Sequence, residues 1–260
     1  HNRCRRQRQM CIRDRVYPLL IFVGFIAGFM NTMAGGGSLL TLPLLIFLGL
    51  PAAVANGTNR VAILMSTSSA TLGFKSKNVS TFPFNIYLGI SGLFGALIGA
   101  KLAIEIDGDL FNKILAVIMI VVVGLIVFKP SIDHNDLLER LTGKHLFVSI
   151  LAFFFIGVYG GFINAGIGFV IMLFLHYYNR LRLVKVNSAK VLILMIYTLG
   201  ALITFALADK VNWTFGLFLA LGNFLGGWTS SRWSVKKGEK SIKVFLIVMV
   251  VLMSIKLWFF

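Results

Sequence analysis

The chain has 260 residues, 58% of them hydrophobic and only 13% charged, with 25 Lys and Arg against 9 Asp and Glu for a formal net charge of +16. The apolar residues gather in long blocks separated by short polar segments, which excludes an ordinary soluble domain and defines a helical membrane protein. Nor do the blocks alternate apolar and polar residues along short strands, so a transmembrane β-barrel is excluded.

The opening HNRCRRQRQMCIRDR carries six arginines and one aspartate and has neither an apolar h-region nor a small-residue cleavage site. Residues 1–15 read either as a basic arm for anionic lipid or RNA, or as a segment foreign to the protein, and the abrupt change of character at Val16 favours the second. Cys4 and Cys11 both lie there, so no disulfide or thiol chemistry is expected in the body. Apolar blocks follow at 17–50, 61–74, 82–100, 110–128, 146–178, 191–208, 213–228 and 242–260. Several approach the roughly 20 residues that a spanning helix needs. The 17–50 block is interrupted by Gly35, Gly36, Gly37 and Pro43, and the 146–178 block by Gly166 and Gly168, so each predicts a broken helical pair.

The chain also resembles itself. Gly28-Phe29-Met30-Asn31 matches Gly161-Phe162-Ile163-Asn164, each followed by glycines. Asn56-Gly57-Thr58-Asn59-Arg60-Val61 matches Asn187-Ser188-Ala189-Lys190-Val191 with one deletion; Gly95 and Gly99 match Gly222 and Gly226; Lys113-Ile114 matches Lys243-Val244. Positive charge differs between equivalent loops: residues 51–60 carry only Arg60, whereas 179–190 carry Arg180, Arg182, Lys185 and Lys190. Because cytoplasmic loops collect Lys and Arg, equivalent loops are expected on opposite sides of the bilayer. The expected fold is therefore an all-α integral membrane protein of two inverted-topology repeats, each a broken or re-entrant helical hairpin followed by about three transmembrane helices. The repeats are placed at 16–130 and 145–260, joined by a polar linker at 131–144.

A helix that starts at mid-membrane exposes unpaired N–H groups and a partial positive charge, a natural place for an anion. Gly35, Gly36 and Gly37 let the backbone approach a ligand, and Ser38 either caps the next helix or donates to the ligand. Asn164, Gly166 and Gly168 present a similar end from the second half. Asn31 and Asn164 read equally as interhelical glue or as ligand contacts. All nine acidic residues lie in the arm or in connecting segments, which disfavours a cation substrate. Arg60 and Lys190 recur at equivalent places, beside Asn56, Thr58, Asn59 and Asn187. Each either grips an oxyanion or snorkels to headgroups. For Gly95, Gly99, Gly222 and Gly226 close helix packing is the expected role. Ser66-Thr67-Ser68-Ser69 either lines a pathway or bonds its own backbone. His176 in HYYNR reads best as part of an interfacial aromatic belt. No HExxH, GxSxG, P-loop or CxxC pattern occurs, so no metal, nucleophile or nucleotide cofactor is expected.

The pattern G-x-x-x-G-F-x-N-x-x-A-G-G-G-S at 24–38, ANGTNR at 55–60, GALIGAKLA at 95–103 and their weaker second copy resemble the TauE/SafE sulfite exporter family of membrane permeases. That resemblance implies a secondary transporter in the bacterial inner membrane for sulfite or an organosulfonate such as sulfoacetate. It implies no enzyme activity and no nucleic-acid partner, and it leaves homodimerisation open. The candidate anion site, read from the residues themselves, comprises Asn31, Gly35, Gly36, Gly37, Ser38, Asn56, Thr58, Asn59, Arg60, Asn164, Gly166, Gly168, Asn187 and Lys190. The competing expectations are a passive anion channel of the same fold and a membrane-embedded sensor or enzyme for sulfur compounds.

Overall fold

A computed structural model describes the backbone of residues 2–79, 81–127 and 139–259, and the side chains of 16–79, 81–118, 121 and 139–237. Among the described residues the chain is helical, without strands: α1 (Asn2–Met33), α2 (Ser38–Phe47), α3 (Ala52–Lys75), α4 (Phe84–Glu105), α5 (Gly108–Val127), α6 (Lys144–Phe162), α7 (Ile167–Leu173, extended by a π-helical turn to Tyr178), α8 (Leu183–Leu207) and α9 (Trp213–Phe259). Both interruptions expected from the glycines are present. The two last apolar blocks, read separately at 213–228 and 242–260, are joined in α9 because the polar stretch between them contains no proline and only Gly238 among weak helix formers. Residues 2–15 continue into α1 without a break at Val16, so the boundary expected there is not a helix boundary; their side chains, and the linker residues 128–138, lie outside the described residues.

Exposure runs opposite to that of a water-soluble protein. Ile90, Phe94, Ile98 and Leu102 form one exposed stripe on α4, Phe147, Leu151 and Phe155 one on α6, Leu199, Ile203 and Leu207 one on α8, and Leu217, Leu221 and Leu225 one on α9. The spacing of four puts each set along one helix face, where hydrocarbon rather than water is the compatible solvent. Inside, within a core that is still mostly apolar, are polar residues, chief among them Asn56, Thr58, Asn59, Arg60, Ser66, Thr67 and Ser69 on α3. The helices Val16–Met33 (the apolar part of α1), Phe84–Glu105, Lys144–Phe162 and Leu183–Leu207 are long and apolar enough to cross a membrane.

The packing exchanges elements between the chain's two halves. α4 packs on α6 and α8, while α9 packs on α1 and α3, and α3 meets α8 at the centre. Glycines make this closeness possible, as expected of Gly95, Gly99, Gly222 and Gly226. A Cβ at Gly95 or Gly99 would overlap the carbonyl of Phe154 or Val158 on α6, and one at Gly222 or Gly226 that of Ile21 or Phe25 on α1. Each of these four positions is accordingly predicted to reject alanine, with loss of folded yield in detergent at a cost of about 1–3 kcal/mol each. Of the hydroxyls on α3, Thr67 donates to Ile63 O at 2.9 Å and Ser69 to Ser66 O at 2.9 Å, so these two serve the backbone. His176 is buried, with Nδ1 2.8 Å from Leu181 O, rather than displayed at an interface.

Candidate functional site at the crossing of two interrupted helices

α1 stops because the chain turns out of the helix at Gly35, whose φ of +82° is costly for a residue with a Cβ. The amides of Ala34 and Gly35 both return to Met30 O, at 2.8 and 3.0 Å. α6 stops at Ile163, which is extended, and Gly166 at φ +72° starts α7. The two interruptions meet backbone to backbone: a Cβ at Gly35 would overlap Gly168 Cα, and one at Gly168 would overlap Gly35 Cα. Gly36 faces the Phe169 ring, and Gly37 sits where a Cβ would lie 2.9 Å from Asn31 Cβ. Ser38 Oγ accepts from Asn164 Nδ2 at 3.4 Å, and Asn164 Oδ1 accepts from Tyr197 OH at 2.8 Å. Ser38 therefore starts α2 without a side-chain cap, and the Gly36, Gly37 and Ser38 amides have no acceptor among the described residues.

The two cations are buried and do not snorkel. Arg60 Nη1 donates to Gly160 O at 2.6 Å and Nη2 to Gly161 O at 2.7 Å and to Asn56 Oδ1 at 3.3 Å. The forked donors expected for a ligand thus lie on the last-turn carbonyls of α6, and only Nε remains unpaired. Asn56 Nδ2 adds a third bond to that end, to Phe162 O at 2.7 Å. Lys190 Nζ donates to Thr32 O near the end of α1 at 2.8 Å and to Asn187 Oδ1 at 2.9 Å. Neither cation faces a carboxylate among the described residues. An ion pair between Lys185 and Glu139, at 2.6 Å, lies on the surface.

Most of the residues singled out from sequence surround this crossing; Thr58 does not. Its Oγ1 accepts from the Asn212 amide at 2.9 Å, at the approach to α9. Asn59 Oδ1 accepts from Thr41 Oγ1 at 2.7 Å, tying α3 to α2. Asn31, Asn59 and Asn187 each keep a buried, unpaired Nδ2, and Arg60 a buried, unpaired Nε. Sequence reasoning missed Thr41, Tyr159, whose OH donates to Ala165 O at 2.6 Å, and Tyr197. A usable signal existed for both tyrosines, since a phenol buried in an apolar span needs an acceptor. No group of three or more His, Cys, Asp or Glu side chains lies together among the described residues.

A helical bundle with apolar outer stripes and a polar, glycine-lined crossing between its halves has the architecture of a membrane transporter. The chain belongs to the family described as Sulfite exporter TauE/SafE, which matches residues 20–257. It is 30% identical to "Probable membrane transporter protein ORF9" of Sinorhizobium sp over 95% of both chains. It is 31% identical to "Probable membrane transporter protein YfcA" of Escherichia coli (strain K12), covering 93% of this chain and 91% of that one. A "Probable membrane transporter protein" of Haemophilus influenzae is 28% identical over 92% and 93%. No solved structure matches the chain.

Proposed function

We propose that this protein is a multi-pass secondary transporter of the bacterial inner membrane that exports a small sulfur oxyanion, sulfite or an organosulfonate such as sulfoacetate. Two inverted-topology repeats, 16–130 and 145–260, alternate access to an anion held at the crossing. One observation supports the reading: buried donors without acceptors collect there, namely Nδ2 of Asn31, whose Cβ lies beside Gly37, and the amides of Gly36, Gly37 and Ser38. An unpaired buried donor is costly, and an anion satisfies several at once. The N-terminus of α2 and the uncompensated charges of Arg60 and Lys190 favour the same sign of ligand. Asn59, Asn164, Gly166, Gly168, Asn56 and Asn187 shape the surround, and an anion whose own pKa lies near neutrality brings any proton that coupling requires.

The test is flux through purified full-length protein in liposomes against sulfite, sulfoacetate, sulfate, taurine and chloride. Saturable sulfite or sulfoacetate flux, stimulated by the same anion on the far side, is expected; flux without saturation or exchange would make the protein a passive channel instead. Asn31→Asp is expected to raise the KM for the transported anion by about tenfold or more, because a carboxylate would itself take the free amides of α2. Titration of the initial flux checks it, with thermal stability as the control for folding. Gly36→Ala is expected to impair transport. If crowding of Phe169 were the whole reason, Phe169→Leu in the same chain would restore the flux; persistence of the defect marks the anion's approach as what was blocked.

A further inference from the structure

We infer that Arg60 and Lys190 are positioning residues: each clasps the interrupted helix end of the opposite half, and the Lys190 clasp on α1 is the one that opens during turnover. This rests on the alternating-access reading above. The two clasps occupy equivalent places but are unequal. At the end of α6, the carbonyls of Gly160, Gly161 and Phe162 take donors from Arg60 Nη1, Arg60 Nη2 and Asn56 Nδ2. At the end of α1, Thr32 O takes the single Lys190 Nζ, while Asn187, the counterpart of Asn56, spends its Oδ1 on that lysine and leaves its Nδ2 unpaired.

These carbonyls are the ones a helix end leaves without partners, and within a bilayer no water replaces a lost donor. The end held by three donors, two of them on one rigid guanidinium, separates at greater cost than the end held by one flexible ammonium. Opening at Thr32 also has a consequence for the site. Three residues onward lies Gly35, wedged on Gly168, and then the free amides of Gly36, Gly37 and Ser38. Displacing the end of α1 re-aims those donors and so links the clasp to anion release.

The experiment uses the full chain in detergent, with Cys4→Ser and Cys11→Ser, and a single cysteine at Ala34→Cys beyond α1 or Ile163→Cys beyond α6. Both positions are fully buried. N-ethylmaleimide is expected to label Ala34→Cys at least about threefold faster than Ile163→Cys, and Lys190→Gln to raise the first rate a further threefold or so while leaving the second unchanged. Equal rates at the two positions, or no response to Lys190→Gln, would overturn the inference. Should Lys190→Gln fail to fold, Lys190→Arg decides by flux: a second set of donors on Thr32 lowers the maximal rate about threefold with KM held within about twofold. A raised KM at unchanged maximal rate would make Lys190 an anion ligand, and no change in either would remove its clasp. Labelling needs no substrate, so the clasp is tested even if no anion is carried.

Discussion

Arg60→Ala is expected to cut anion flux by about 100-fold or more and to lower stability by about 3–5 kcal/mol, the upper range for a single substitution that strands buried polar groups and opens a void. The reason lies in what the guanidinium touches. Its loss strands Gly160 O, Gly161 O and Asn56 Oδ1 in a dry interior, and each unsatisfied buried group costs about 1–3 kcal/mol. It also leaves a void beside Phe205, whose ring lies 5.6 Å from the Arg60 Cζ. Arg60→Lys should recover part of the stability, since a lysine keeps the charge but supplies one donor group in place of a planar pair. Lys236→Ala, at an exposed position on α9, serves as the control and should leave both properties near the parent's values. Flux in liposomes and thermal unfolding in detergent check the two halves of the expectation. Equal behaviour of the Arg60 and Lys236 variants would show that the buried guanidinium has no part in the transport cycle.

The second large effect is expected at Gly35 and Gly168. Gly35→Ala suffers twice: a left-handed φ costs an L-residue about 1–2 kcal/mol, and the new methyl group would overlap Gly168. Gly168→Ala meets only the overlap, for about 1–3 kcal/mol. Since either change forces the two interruptions apart, the double variant should cost less than the sum, with a coupling of at least about 0.5 kcal/mol. Unfolding free energies of the four chains in a mild detergent form the required cycle. Strict additivity would mean that the two loops do not meet. Flux should fall in all three variants, because the amides of Gly36, Gly37 and Ser38 are aimed by that contact.

Much of this was legible without coordinates. Three successive glycines in an apolar run read as a helix break because each gives up about 1 kcal/mol of helix propensity relative to alanine, and α1 does stop at Met33 with α2 beginning at Ser38. The second break was weaker in the sequence, yet Asn164, Gly166 and Gly168 mark it in the same register. Less could be read from the polar 229–241 stretch, because polarity with a single glycine and no proline separates a loop poorly from a solvated helix, and there α9 continues. Thr58 illustrates a different failure. Its neighbours Asn56, Asn59 and Arg60 turn to the crossing, but successive helical residues point about 100° apart, and Thr58 meets Asn212 instead.

By itself, the sequence determined the solvent, the helical class, the places where two helices break and the absence of acidic residues from the middle of the apolar blocks, since each follows from composition or from residues with strong local preferences. Only the tertiary structure decided that α4 and α9 pack across the two halves, that Gly35 rests on Gly168, and that Arg60 and Lys190 hold helix ends. Those outcomes turn on backbone carbonyls and on close backbone approach, and a carbonyl is common to every residue, so no side-chain pattern announces which one a buried cation will find.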